Sequence, residues 1–145
     1  MDWKEKIRHW CARGERSAFE TEAKLSRLGA SPTEATEFIG VLEKEGFIDE
    51  ERFVSAFIHD HFTLKNWGPR KLYHGLKKKG CASHLIEQAL AELTPEDLEN
   101  ALNQTIETRF TLYPEEHKNN RERLIRYLQN RGYTLDNILS ALSRL

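Results

Sequence analysis

Little in this chain suits a disulfide scaffold, a membrane protein or an enzyme. Cysteine occurs twice in 145 residues, at Cys11 and Cys81, too far apart for a disulfide framework and in keeping with a reducing compartment. No run of about eighteen apolar residues is present, so no membrane span is expected. Residues 1–16 mix acid and base without an apolar stretch or a small-residue cleavage site, so no secretory signal is read and a cytoplasmic location is expected. No alternating apolar run lies between hairpin turns, which leaves an all-α class. G-x-S-x-G, H-E-x-x-H and P-loop signatures are all missing, so no enzyme is expected. Six histidines do not make a metal site. His59 and His61, two apart on a helix, point to different sides, and Cys81 with His84 offers only two ligands. No metal or cofactor is expected.

What is present is a repeat. Leu25 and Gly29 are followed by Ala35, Ile39 and Leu42; Leu76 and Gly80 by Ile86, Leu90 and Leu93; Leu128 and Gly132 by Ile138, Leu142 and Leu145. The glycines are 51 and 52 positions apart (80 − 29 and 132 − 80). Tandem three-helix units over 1–48, 49–94 and 95–145 are expected, forming an elongated or curved array whose core comes from stacking. Such an array offers a binding surface in preference to a buried cleft.

Capping residues mark the helices. Ser17 with Glu20 and Ser31 with Glu34 read as capping boxes. Ser31-Pro32 and Thr94-Pro95 place proline at the first helical position, and Asp49 and Thr134 are further caps. Each repeat glycine falls where a helix must stop. The spans predicted are 2–13, 17–28 and 32–45, then 49–63, 68–79 and 82–93, then 95–110, 117–131 and 134–144. Gly75 sits inside one of them at a cost of about 1 kcal/mol against alanine.

A formal net charge of −1 hides an uneven distribution. From His61 to Ile86 there is no acid, while Lys65, Arg70, Lys71, Lys77, Lys78 and Lys79 carry six positive charges. Acid flanks this island, with seven carboxylates over Glu34–Glu51 and eight over Glu87–Glu116. A second basic stretch holds Lys118, Arg121, Arg123, Arg126 and Arg131 against Glu122 alone. Such clusters can neutralise phosphates or meet an acidic protein surface. The plainer reading of Lys77–Lys79 is a solvated helix end complementing the macrodipole.

Two runs are more specific. Gly46-Phe47-Ile48-Asp49-Glu50-Glu51-Arg52-Phe53 joins the first repeat to the second, and Asn66-Trp67-Gly68-Pro69-Arg70-Lys71-Leu72 opens the middle of the second. With Cys11, Glu15, Arg16, Ser17, Lys24-Leu25, Lys77–Gly80 and Arg131-Gly132-Tyr133, they make the chain resemble the RecX family of bacterial regulatory proteins along essentially its whole length. Gly75 departs from the family's usual glutamate and Cys81 from its usual aliphatic residue. The resemblance implies a non-enzymatic modulator that binds RecA and the RecA–DNA filament and suppresses ATP hydrolysis and strand exchange in recombination and repair.

Several residues keep two readings. Gly46, Phe47, Ile48, Asp49, Arg52 and Phe53 suit a structural junction, with a partner contact through Arg52, Glu50 or Glu51 as the other reading. Trp67 either packs as a staple on the helix it precedes or is exposed for stacking. Tyr73, Tyr127 and Tyr133 read as core or boundary aromatics. Lys65, Trp67, Arg70, Lys71, Lys77, Lys78, Lys79, Arg121, Arg123 and Arg126 are the candidate partner- or DNA-binding residues. A pI of about 6.6 favours modest affinity for single- or double-stranded DNA over tight autonomous binding, and a monomer is expected. The alternative is a tandem helix-turn-helix DNA-binding module with no recombinase partner.

Overall fold

Side-chain caps set most helix starts. In a computed structural model, which describes residues 2–115 and 119–145, Ser17, Ser31 and Thr94 close full capping boxes with Glu20, Glu34 and Asp97. Asp49 accepts from the Arg52 amide at 3.0 Å and Thr134 from the Asn137 amide at 3.3 Å. Among the described residues there are nine α-helices and no strand. They are α1 (Trp3–Ala12), α2 (Ala18–Arg27), α3 (Pro32–Lys44), α4 (Glu50–Ile58), α5 (Pro69–Lys78), α6 (Ser83–Leu90), α7 (Pro95–Leu112), α8 (Arg121–Asn130) and α9 (Leu135–Ser143). No helix of the described residues is long and apolar enough to cross a membrane.

The repeat glycines end helices by one device. Gly29, Gly80 and Gly132 have φ of 97°, 80° and 104°, the left-handed region that glycine enters without a Cβ penalty. After each, the next amide reaches back five residues, Ala30 to Leu25, Cys81 to Leu76 and Tyr133 to Leu128, which closes the helix end. Leu25, Leu76 and Leu128 are accordingly fully buried. Gly46, at φ 81°, ends α3 in the same way.

Four expectations need correction. The helix predicted over 49–63 is α-helical only to Ile58 and continues as a π turn over His59–Thr63. There the His61 ring nitrogen Nδ1 lies 2.8 Å from the Phe57 carbonyl, the acceptor an α-turn gives to the His61 amide. The helix predicted over 82–93 stops at Leu90, because Thr94 must be extended (φ −77°, ψ 158°) to cap α7 ahead of Pro95. The third repeat's last apolar position, Leu145, is 66% exposed. The helix predicted over 117–131 is observed as α8 from Arg121; residues 116–118, with Lys118, lie outside the described residues.

The chain divides into two compact units, residues 1–56 with 76–86 and residues 57–75 with 87–145. The segment expected as the middle repeat, 49–94, contributes to both. In the first unit Ile7, Leu25, Ala35, Phe38, Leu42 and Ile48 form a buried cluster. In the second, Leu102, Ile106, Leu124, Leu128, Tyr133 and Ile138 do so. At about 25 cal/mol per Å² of buried apolar surface, each fully buried leucine or isoleucine contributes about 1.5–3 kcal/mol.

Candidate functional site

The second unit brings part of the basic island together on a tryptophan. Asn66, the only non-glycine with positive φ among the described residues (55°), turns the chain after the π turn, a conformation asparagine tolerates better than most residues. Its carbonyl accepts from Tyr133 Oη at 2.7 Å. Trp67, half-buried, then lies 4.4 Å from the His61 ring and 6.1 Å, edge-on, from Phe57. The Lys71 and Lys65 ammonium groups sit 4.5 and 5.7 Å from the Trp67 ring centroid, within cation–π range. Trp67 thus lies between the π turn and α4 on one side and Lys71 of α5 on the other. Gly75 makes room for this: a Cβ there meets Phe57 Cζ at 2.8 Å and Trp67 Cζ3 at 3.5 Å. The side chain that the resemblance leads one to expect at position 75 has its place filled by the Phe57 ring.

A close backbone approach carries Arg131 into the same cluster. The Gly68 amide donates to the Arg131 carbonyl at 2.7 Å and the Arg70 amide to the Gly132 carbonyl at 3.0 Å. A Cβ on Gly68 lies 2.5 Å from the Gly132 carbonyl, and one on Gly132 lies 2.6 Å from Lys71 Cβ. Neither position has space for a side chain. Arg131 donates through Nη2 to the Lys65 carbonyl, while its Nε is buried and without a hydrogen-bond partner among the described residues. Burial, then the charges of Arg131 and Lys65, hold the Lys71 ammonium below the usual lysine range. No carboxylate pairs with Lys65, Lys71 or Arg131 among the described residues.

The other candidate residues are placed differently. Lys77, Lys78 and Lys79 belong to the first unit. There Lys77 donates to Ser83 Oγ at 3.1 Å, Lys79 to Glu20 Oε2 at 3.2 Å, and Lys78 is exposed in the last turn of α5. Arg70 is exposed at the start of α5, and Arg121, Arg123 and Arg126 are exposed on α8. Arg131 was legible as one charge of the second basic stretch and as part of the Arg131-Gly132-Tyr133 run, but not as a candidate binding residue. The signal that finds its role is the repeat register, because it precedes a repeat glycine as Lys79 does.

The junction run is occupied with holding its own unit. Gly46 ends α3, Phe47 is half-buried, and Ile48 and Phe53 are buried. Arg52 donates through Nε to Glu15 at 2.6 and 2.8 Å and through Nη2 to the Gly46 carbonyl at 2.8 Å. Glu50 accepts from the Ala82 amide at 2.9 Å. The contacts of Arg52 and Glu50 thus fall within the fold, while the exposed Glu51 is left on its surface. Cys81 is buried, and burial followed by Glu50 and Glu20 pushes its thiol up to about 11, away from thiolate reactivity. No group of three or more potential metal ligands comes together among the described residues.

Comparison with known proteins adds a family. The model described as RecX, second three-helix domain, matches residues 49–90. The regulatory protein RecX of Pseudomonas savastanoi is 30% identical over 132 residues, covering 91% of this chain and 84% of the relative. That of Vibrio parahaemolyticus is 27% identical over 132 residues, with 91% and 84% covered. Among solved structures, RecX from Lactobacillus salivarius matches with a TM-score of 0.81 at 20% identity, covering 98% of this chain and 95% of that one. A second RecX crystal structure gives 0.84 at 16% identity, covering 98% and 72%. At such identities the structural likeness speaks for the fold.

Proposed function

The chain belongs to the RecX family of regulatory proteins, and on that footing we propose that it binds RecA and the RecA–DNA filament and suppresses ATP hydrolysis and strand exchange. It acts by occupancy, without catalysis. Lying along the filament groove, it restrains the conformational changes that accompany ATP turnover, with its basic positions toward DNA or acidic subunit surfaces. The observation that carries this reading is the 30% identity to a RecX relative over 91% of the chain. The geometry supports it with an uncompensated cationic cluster in the second unit, a feature suited to binding polyanions. A pI of about 6.6 suits modest intrinsic DNA affinity, with much of the binding supplied by the protein filament. In this reading the protein works as a cytoplasmic monomer.

The test is single-stranded-DNA-dependent ATP hydrolysis by the cognate RecA, with this protein added at substoichiometric and stoichiometric amounts. Suppression is expected at both. Unchanged hydrolysis, with folded protein and active RecA, contradicts the proposal and promotes the DNA-binding module that has no recombinase partner.

A further inference from the structure

The repeat register shows what the second unit has given up. Glu20 and Lys71 occupy the same position relative to the glycines that follow them, nine residues before Gly29 and Gly80 (29 − 20 and 80 − 71). Lys79 and Arg131 also match, each immediately preceding a repeat glycine. In the first unit the two positions form an ion pair, Lys79 to Glu20 at 3.2 Å. In the second unit the matching residues are both cations, and Lys65 joins them. Proteins place like charges together where a ligand of opposite charge neutralises them.

We propose that Lys65, Lys71 and Arg131 hold a phosphate of a nucleic-acid backbone beside the Gly68–Gly132 contact. The cluster is gathered before any ligand arrives. Both lysine ammonium groups rest near the Trp67 ring, and the Arg131 guanidinium is tethered by Lys65 while its Nε keeps an unused donor. Cations from three chain positions suit a tetrahedral phosphate, which accepts on several sides, better than a planar carboxylate. The N-terminal end of α5, where Lys71 stands, adds a partial positive charge. Arg70, Arg121 and Arg126 are further exposed cations of the same unit, available to a polyanion and superfluous for a lone anion. The choice of a polynucleotide over a free anion rests on the regulatory reading above.

Lys71→Glu is the informative variant, because it restores the carboxylate that the first unit has at this position. It is expected to fold, with the introduced carboxylate paired to Arg131. Fluorescence anisotropy of labelled oligothymidylate, titrated with the full chain across a salt series, reads the effect. For wild type, affinity falls with salt. For Lys71→Glu, affinity drops about tenfold at ~0.1 M salt and the log–log salt slope shrinks by roughly 1, the loss of one to two phosphate contacts on a single strand. A folded Lys71→Glu protein, confirmed by circular dichroism, with wild-type affinity and slope overturns the proposal. Inorganic phosphate is the second probe. Competition by phosphate only far above the oligonucleotide concentration supports a backbone site; a free-phosphate site that oligothymidylate does not displace overturns it. RecA ATPase assays on both proteins keep the two claims apart. If wild type fails to suppress hydrolysis, the regulatory reading falls while the anisotropy still decides the site; if both proteins suppress equally and bind DNA equally, only the site falls.

Discussion

In the first unit the carboxylate of Glu20 performs two tasks, completing the capping box with Ser17 and meeting Lys79. In the second unit the matching positions are Gly68 and Lys71. The capping hydroxyl has been replaced by a residue with no side chain, and the carboxylate by a cation. The geometric reason for the first change is clear, since the α5 start presses on the Gly132 turn where a Cβ has only 2.5 Å. The second change sets Lys71 among the charges of Arg131 and Lys65, a like-charge contact that disfavours the compact state, with the contact to the Trp67 ring as its one offset. Two copies of one helical device thus differ in charge. The first carries a balanced ion pair, whereas the second gathers like charges, the arrangement on which the proposed phosphate site rests.

The same comparison extends to the residue after each glycine, Cys81 in the first unit and Tyr133 in the second. Both are buried acids whose ionisation burial resists, Cys81 with a value up to about 11 and Tyr133 up to about 12. Their folded values exceed the unfolded ones of 9.0 and 10.0. Each group therefore contributes stability that is fully present below its unfolded value and is lost as pH rises toward its folded value.

The largest effect expected from perturbing this comparison is at Gly68. Gly68→Ala should destabilise the protein by about 3 kcal/mol, the upper range for overpacking, because the added Cβ meets rigid backbone. Urea denaturation measures it, and a loss below about 1 kcal/mol shows that the contact yields. Ser17, at the matching position, already carries a side chain and has no such constraint.

Glu20→Lys comes next. It writes the second unit's charge pattern into the first, removing half a capping box and turning an ion pair into a repulsive one. With Lys79 44% exposed on its side chain, screening keeps the pair's share small, and the total expected loss is about 1–1.5 kcal/mol. No measurable loss contradicts the assignment of Glu20 as a stabilising residue.

Alkaline titration gives the most graded effect, spread over about two pH units for each group. Stability should decline from pH 9 toward 11 through Cys81 and from pH 10 toward 12 through Tyr133. Cys81→Ala should remove the earlier decline and leave the later one, as followed by thermal unfolding across pH. An unaltered profile in the variant assigns the early decline elsewhere.

Much of this fold was legible in the sequence because its signals are local. A Ser-x-x-Glu box, a Ser-Pro or Thr-Pro helix start and a terminating glycine each act within about five residues, so bounds predicted for α1, α2, α3 and α9 fall within one residue of those observed. The π turn was not legible, since it depends on where the His61 ring finds its acceptor. Nor was the reason for Gly75, whose missing side chain is explained by a ring eighteen residues earlier in sequence (75 − 57). The candidate site was half legible. The acid-free stretch from His61 to Ile86 pointed to Lys65 and Lys71, but charge alone could not separate them from Lys77 and Lys79, which bond within the first unit. The repeat register marks Arg131 as the counterpart of Lys79, but what brings it beside Lys65 and Lys71 is the Gly68–Gly132 approach, a contact between residues sixty-four apart (132 − 68).

The most direct test of this difference in charge is the thermal unfolding midpoint of wild type and Lys71→Glu at low salt, each with and without oligothymidylate. Lys71→Glu alone should unfold at a higher temperature than wild type, by roughly 1–3 °C for a gain of about 0.5 kcal/mol, and oligothymidylate should raise the midpoint of wild type by more than that of the variant. Equal midpoints for the two proteins, with equal shifts on adding oligothymidylate, would contradict the claim that the second unit gives up stability for a bound phosphate.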